Sequence, residues 1–224
     1  MQGSKTTIKV DLHSHSIISH DGGINAAEYE QALESGKLDC IAITDHNETS
    51  FARIMHQKHG DKIIVGEEIT TSDGEIIGLF LKETIEPGFS AEETVKQIHA
   101  QDALVYIPHP FETFRKGVQR DVLEKIKDEI DIIEVWNGRG ALRGKPKDAA
   151  TFASHYELSV ASSGDAHERQ GLGYAYSCVE EMPTKKTLKH LLTRPLLAKR
   201  YAPPYTLLYP MINRIKNKII LTHD

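Results

Sequence analysis

Short apolar runs, each followed by a polar cluster and then by a helix-like segment, recur along the chain. Residues 7–10 lead into Asp11-Leu12-His13-Ser14-His15, residues 40–43 into Thr44-Asp45-His46, and residues 63–65 into Gly66-Glu67-Glu68. The run at 75–81 follows a turn-like stretch at 71–74, and 104–107 leads into Pro108-His109-Pro110. The runs at 130–136 and 158–161 end in Asn137-Gly138-Arg139-Gly140 and Ser163-Gly164-Asp165-Ala166-His167. Each run is almost continuously apolar, which predicts strands buried on both faces. Between them, residues 25–36 read as a helix capped by Asn25 and stopped at Gly36. Ser90 and Glu93 form a capping box for a helix to about residue 99, with Phe89 as a staple, and a further helix is predicted over 147–156. Roughly seven strands alternating with helices indicate an α/β fold, a (β/α)7-type barrel rather than a short open sheet.

Composition alters this picture little. The chain has 224 residues, with 39% hydrophobic and 26% charged, which fits a globular domain with a sizeable core and excludes a disordered or collagen-like chain. The two cysteines, Cys40 and Cys178, are too few for a Cys-rich zinc module. No apolar leader and no bilayer-length run are evident, so membrane insertion is not expected and a reduced cytoplasmic protein is.

Charge is unevenly placed. Residues 1–183 carry 18 Lys+Arg against 31 Asp+Glu, whereas residues 184–224 carry 9 against the single acid Asp224. The acidic body argues against a general nucleic-acid binder. The chain is therefore divided into a barrel domain, 1–183, and a basic extension, 184–224, expected to pack on the barrel. Leu188, Leu191, Leu192, Leu196 and Leu197 interleave with basic residues as an amphipathic helix interrupted at Pro195, and residues 207–221 repeat the pattern. A contact between copies of the chain, anionic lipid or nucleic acid are the alternatives for this extension.

The chemistry concentrates at the C-terminal ends of the strands, the face on which β/α barrels build active sites. His13 and His15 are two apart, so on a strand their rings point the same way. Asp165 and His167 repeat the spacing, and Asp45-His46, Glu67-Glu68 and His109 add donors from intervening strands. Each signal alone has an ordinary explanation as a turn or a core pair. Together, buried unpaired imidazoles and carboxylates would cost on the order of several kcal/mol each unless a cation compensated them. Mixed imidazole and carboxylate donors suit Zn, Mn or Fe, with Mg also open. His56, His59, His99, His155 and His190 fall in helical patterns and are expected at the surface, while Cys40 reads as core packing.

In this order the motifs Asp11-Leu12-His13-Ser14-His15-Ser16, Thr44-Asp45-His46, Gly66-Glu67-Glu68, Pro108-His109-Pro110, Glu134-Val135-Trp136-Asn137 and Gly164-Asp165-Ala166-His167 resemble those of the polymerase and histidinol phosphatase (PHP) superfamily. The resemblance spans residues 7–177. It implies a distorted seven-stranded β/α barrel with up to three metal ions in its C-terminal mouth, and hydrolysis of phosphate esters. Carried over, it makes His13, His15, Asp21, His46, Glu68, His109, Asp165 and His167 metal ligands. His20 is the alternative to Asp21, Asp45 an orienting residue, and Glu67 a weaker match than Glu68. The family often places a histidine where Ile77 stands here, so the ion shared by Glu68 and His109 is expected to be weak or absent, leaving about two ions.

On that resemblance Asp21, His46, His167 and Arg139 take catalytic roles around a metal-activated water. Arg139 and Arg143, in the Gly-rich loop after the Glu134 strand, are candidates for binding the substrate's phosphate; Arg139 reads equally as a solvated loop charge, and for Arg143 the solvated charge is the favoured reading. Trp136, Glu168 and Arg169 lie close enough in sequence to touch substrate or to sit at the rim. The expected substrate is a phosphomonoester, a nucleotide or a short oligonucleotide. Hydrolysis of a non-phosphate bond and a catalytically idle metal- or ligand-binding module are the alternatives.

Overall fold

A computed structural model describes residues 7–221, and in it every apolar run of the sequence lies in one sheet. The strands are β1 (Ile8–Asp11), β2 (Cys40–Ile43), β3 (Ile63–Thr71), β4 (Gly74–Leu79), β5 (Leu104–Ile107), β6 (Ile132–Asn137), β7 (Ser159–Ser163), β8 (Ala175–Val179) and β9 (Leu196–Lys199). Their order is β7-β6-β5-β4-β3-β2-β1-β8-β9, and the nine strands curl into a nearly closed, distorted barrel. β4, β8 and β9 are antiparallel to the neighbours they pair with. The gap between the two ends of the sheet is bridged by Ser162, whose N–H donates to Ser177 Oγ (3.0 Å) and whose hydroxyl donates to the Ala198 carbonyl (2.8 Å).

Side-chain alternation splits the apolar residues into two cores. Val10, Ala42, Ile64, Ile77, Tyr106, Ile132 and Ala161 fill the barrel interior, and Leu188 and Leu192 belong to the same cluster. Ile41, Ile43, Val105 and Ile107 point the other way, in a second core with residues of the helices outside the sheet. Those helices are α1 (Ala26–Glu34), α2 (Ser50–His59), α3 (Ala91–Ala100), α4 (Arg120–Ile126) and α5 (Pro146–His155); α6 (Leu188–Leu191) and α7 (Tyr209–Leu221) follow late in the chain. α1 and α3 start at the capping boxes of Asn25–Glu28 and Ser90–Glu93, and Gly36 takes the positive φ of +66° that ends the first.

Two local expectations differ from the structure. Residues 188–197 do not form one interrupted helix: only Leu188–Leu191 is helical, and Leu196–Lys199 is β9, paired with β8. A row of leucines fits periods of both two and 3.6, and the open edge of β8 decides for a strand. The strand β8 itself was not foreseen, because Ala175–Val179 alternates buried and half-buried positions instead of forming an apolar run. No helix among the described residues is long and apolar enough to cross a membrane.

Candidate metal centre

Beyond the regular strand ends the backbone keeps pairing, and this brings the donor residues into register. Ser14 bridges Ala166 and His46 bridges Glu68 in parallel fashion. The N–H groups of His15 and Asp165 donate to the carbonyls of Ala166 and His13, each at 2.8 Å. His109 and Asp165 hold positive φ values of +28° and +51°, a conformation non-glycine residues rarely accept outside sites that need it. Gly117 permits the loop after β5 to fold back, since a Cβ there would lie 2.2 Å from the His109 carbonyl oxygen.

Glu68 is the centre of the constellation. Its Oε2 lies 3.3 Å from His13 Nε2, 3.2 Å from His15 Nε2 and 3.4 Å from His46 Nδ1, and its Oε1 lies 2.9 Å from His109 Nε2. Asp165 Oδ1 is 3.7 Å from Nε2 of both His13 and His15. Asp21 faces His46 and His167, with separations of 3.7 and 3.5 Å. All eight sequence-derived ligands therefore converge. They form overlapping groups whose ligand atoms lie within 4.8 Å of one another: His15, Asp21, His46 and His167; His13, His15 and Glu68; His13, His109 and Asp165; and Glu68, Glu75 and His109. His20 stands at the rim with a side chain 58% exposed, 3.9 Å from Asp21.

Glu75, which no sequence motif marks, lies two residues before Ile77 on β4. The structure adds a donor that position 77 does not supply. Ile77 lies opposite Glu68 in the β3–β4 ladder and is buried in the barrel interior with Tyr106. Because β4 runs antiparallel, its first residues are the ones at the mouth. Glu75 brings its carboxylate within 3.9 Å of both His46 and His109. The donor set around Glu68 and His109 thus has a third member that an Ile at position 77 does not remove.

Several neighbours orient these donors. Glu134 accepts from Tyr106 Oη (2.8 Å), the His109 N–H (2.7 Å) and Asn137 Nδ2 (2.8 Å), and lies 3.3 Å from His13 Nδ1. That contact directs His13 Nε2 inward, as carboxylates commonly do for metal-binding histidines. Asp45 accepts from the N–H and hydroxyl of Ser16, both at 2.6 Å, and holds the loop after His15. Glu67 points elsewhere and accepts from the Ile85 N–H. Asp11 accepts from the Gly164 N–H, tying β1 to the turn that carries Asp165.

Without a cation the charges are imperfectly matched. Burial opposes ionisation of Glu68, yet His13 and His46 and the hydrogen bond with His109 outweigh it and hold the carboxylate well below its usual range. Burial, reinforced by the charge of Glu68, pushes Glu75 up to about 9. Burial, then Arg139, lowers His167 to about 3. His13 Nε2, both ring nitrogens of His15 and His109 Nδ1 are buried with no hydrogen-bond partner. Of these, His13 Nε2 and His15 Nε2 face Glu68 and Asp165; buried orphan imidazole nitrogens aimed at carboxylates are what a divalent cation satisfies, and the donor set fits one.

The donors open into a cavity of about 840 Å³. Arg139 reaches Asp165 Oδ1 and His167 Nδ1, each at 3.2 Å. Arg115, to which no sequence signal drew attention, donates to Asp165 Oδ2, to Asn137 Oδ1 (2.9 Å) and to Glu112. Arg143 stacks on the exposed ring of Phe114 at 3.6 Å, and Phe114, not Arg143, is on the cavity wall. Trp136 stacks on Tyr201 (4.6 Å) beside the mouth.

No protein-family model matches the chain. An uncharacterised protein of Methanocaldococcus jannaschii is 33% identical over 183 residues, covering 80% of this chain and 73% of that one. A two-domain protein of Bacteroides vulgatus, containing a predicted PHP-like metal-dependent phosphoesterase, superposes with a TM-score of 0.70. The match has 18% identity and covers 93% of this chain and 70% of the other. The lesion-specific endonuclease EndoQ of Pyrococcus furiosus superposes with a TM-score of 0.62 at 17% identity, over 83% of this chain and 56% of that enzyme.

Proposed function

We propose that this chain is a PHP-like metal-dependent phosphoesterase acting on a small phosphate ester, a reading supported by its ordered motifs and by the fold it shares with PHP-like proteins. The observation that carries this reading is the set of cationic side chains that shares the cavity with the metal-type donors. Four carboxylates, Asp21, Glu68, Glu75 and Asp165, and four cationic side chains, Arg115, Lys116, Arg139 and Arg214, line the cavity, with Arg115 also paired to Glu112. With four cationic side chains already on the wall, each divalent ion bound there adds positive charge, so the fitting substrate is anionic. A neutral amide or ester would leave that charge uncompensated, which disfavours a non-phosphate bond.

In this reading two or three ions would be bound, one held by Asp21, His46 and His167, one by His13, His15, Glu68 and Asp165, and a third by Glu68, Glu75 and His109. When bound, such ions supply Lewis acidity and acidify water at neutral pH. The chain's own residues do the rest. Arg139 presents a planar guanidinium able to bind two phosphoryl oxygens, and Arg115 holds Asp165 and Asn137 in place behind it. Glu134 keeps His13 in one orientation. Asp21 and His167, close to each other on the open side, are placed to position water or a departing oxygen.

The test is phosphate release from mono- and diester substrates by metal-stripped protein, compared with protein reloaded separately with Mn, Zn, Fe or Mg. Restored release with a preference for monoesters supports the reading. Confirmed metal binding with no release under any metal would sink it in favour of another hydrolase or a binding module. Arg139→Ala is expected to raise KM for the phosphate ester about tenfold, the worth of one charge-assisted hydrogen bond.

A further inference from the structure

The barrel's own loops do not complete the wall of the cavity; a segment from the end of the chain does. After β9, Tyr201 stacks on Trp136, and the Ala202 N–H donates to the Gly138 carbonyl (2.9 Å), one residue before Arg139. The chain then turns through residues 204–208 into α7; Leu208 at the end of the turn and Met211 and Arg214 in the helix line the cavity.

The fastening is specific. Asn213 is 3% exposed and donates through Nδ2 to the carbonyls of Asp21 (3.0 Å) and His167 (3.3 Å), two of the donor residues. Gly23 makes room for it, since a Cβ there would lie 2.9 Å from Asn213 Nδ2. Beside it, Arg214 donates to Asp21 Oδ2 at 3.0 Å while its side chain stays 55% exposed.

Arg214 therefore shares its carboxylate with the candidate metal centre. A cation seated on Asp21 would repel a guanidinium so close by, unless an anion lies between them. Phosphate is such an anion, and a half-exposed guanidinium is free to turn onto it. Leu208 and Met211, 53% and 57% exposed on the same wall, offer apolar contact to whatever carries the phosphate. With Leu207, Leu208, Pro210, Met211 and Arg214 all lining it, the cavity is walled on this side by the end of the chain.

We propose that Leu208 and α7 form the specificity wall of the active site: Arg214 binds the substrate's phosphate opposite Arg139, Leu208 and Met211 receive an apolar leaving group, and polynucleotide interiors are excluded. This rests on the phosphoesterase reading and deepens it.

The experiment measures inorganic phosphate binding calorimetrically on the full-length, metal-loaded chain, and steady-state kinetics with p-nitrophenyl phosphate, glycerol phosphate and a single-stranded 20-mer. Arg214→Ala is expected to weaken phosphate binding and raise KM for p-nitrophenyl phosphate about tenfold, while kcat changes less than about threefold. Arg214→Lys should recover most of the loss, and metal content should match wild type in both. Met211→Asp should raise KM for the aryl ester and leave that for glycerol phosphate nearly unchanged. Wild-type protein should leave the interior of the 20-mer intact. Unchanged phosphate affinity and KM in Arg214→Ala, or internal cleavage of the 20-mer at the monoester rate, would overturn the proposal. Wild-type protein that neither binds nor releases phosphate with any metal would instead remove the phosphoesterase reading beneath it.

Discussion

Ile77 and Glu75 stand two residues apart on one face of β4, yet one packs in the barrel interior and the other reaches the donors. Strand direction makes the difference, and it predicts opposite effects of substitution. Glu75→Gln is expected to lower the metal content of saturated protein by about one ion per chain, measured by elemental analysis. Ile77→Val should leave metal content unchanged and cost about 1 kcal/mol of stability by denaturant titration. Equal metal loss in both variants would contradict the assignment. Cys40 gives a second test at this scale. Fully buried, its thiol is pushed up to about 12 by desolvation, with Asp61 and Asp39 adding to the shift. The folded state thus binds this proton more tightly than the unfolded chain, whose thiol titrates near 8.5. Its contribution to stability is complete below that value and is lost as pH rises towards 12. At pH 8, alkylation of Cys40 in native protein should be more than about a thousandfold slower than in denaturant, followed by peptide mass spectrometry.

At the scale of elements, the helices that flank the site start where local chemistry says they should. Asn25 accepts from the Glu28 N–H and Glu28 returns the bond to the Asn25 N–H. Asn25→Ala should therefore cost about 1 kcal/mol, read as a lower Tm, with the metal content unaltered because the cap touches none of the donors. The β3–β4 hairpin behaves differently. Its turn was legible, but the antiparallel sense that carries Glu75 to the mouth comes from pairing on both edges, with β3 and with β5. The late leucines show the same limit, since the free edge of β8 draws Leu196–Lys199 into the sheet instead of a helix.

For the whole molecule, the donors come from most of the barrel strands, from β1 at one end of the chain to the turn after β7. A cation held there joins segments far apart in sequence, and by mass action it stabilises the folded state alone. Metal removal with a chelator is expected to lower Tm by several degrees, with full recovery on adding back Mn or Zn; an unchanged Tm would mean that the donors hold no ion tightly. A concentration of metal a hundredfold above its Kd corresponds to about 2.7 kcal/mol.

The barrel class and the eight convergent donors were legible in the sequence because both are written locally. Buried strands need unbroken apolar runs, and polar residues at the ends of those runs have no place to go but the barrel mouth. Which carboxylate β4 contributes, the role of Glu134 behind His13, and the arrival of Arg115 and Arg214 at the cavity were not legible. Each depends on contacts between distant segments: Arg214 meets Asp21 across 193 positions of chain, and His13 meets Glu134 across 121. No local pattern encodes such a meeting. It follows from how the sheet closes and where the final helix comes to rest.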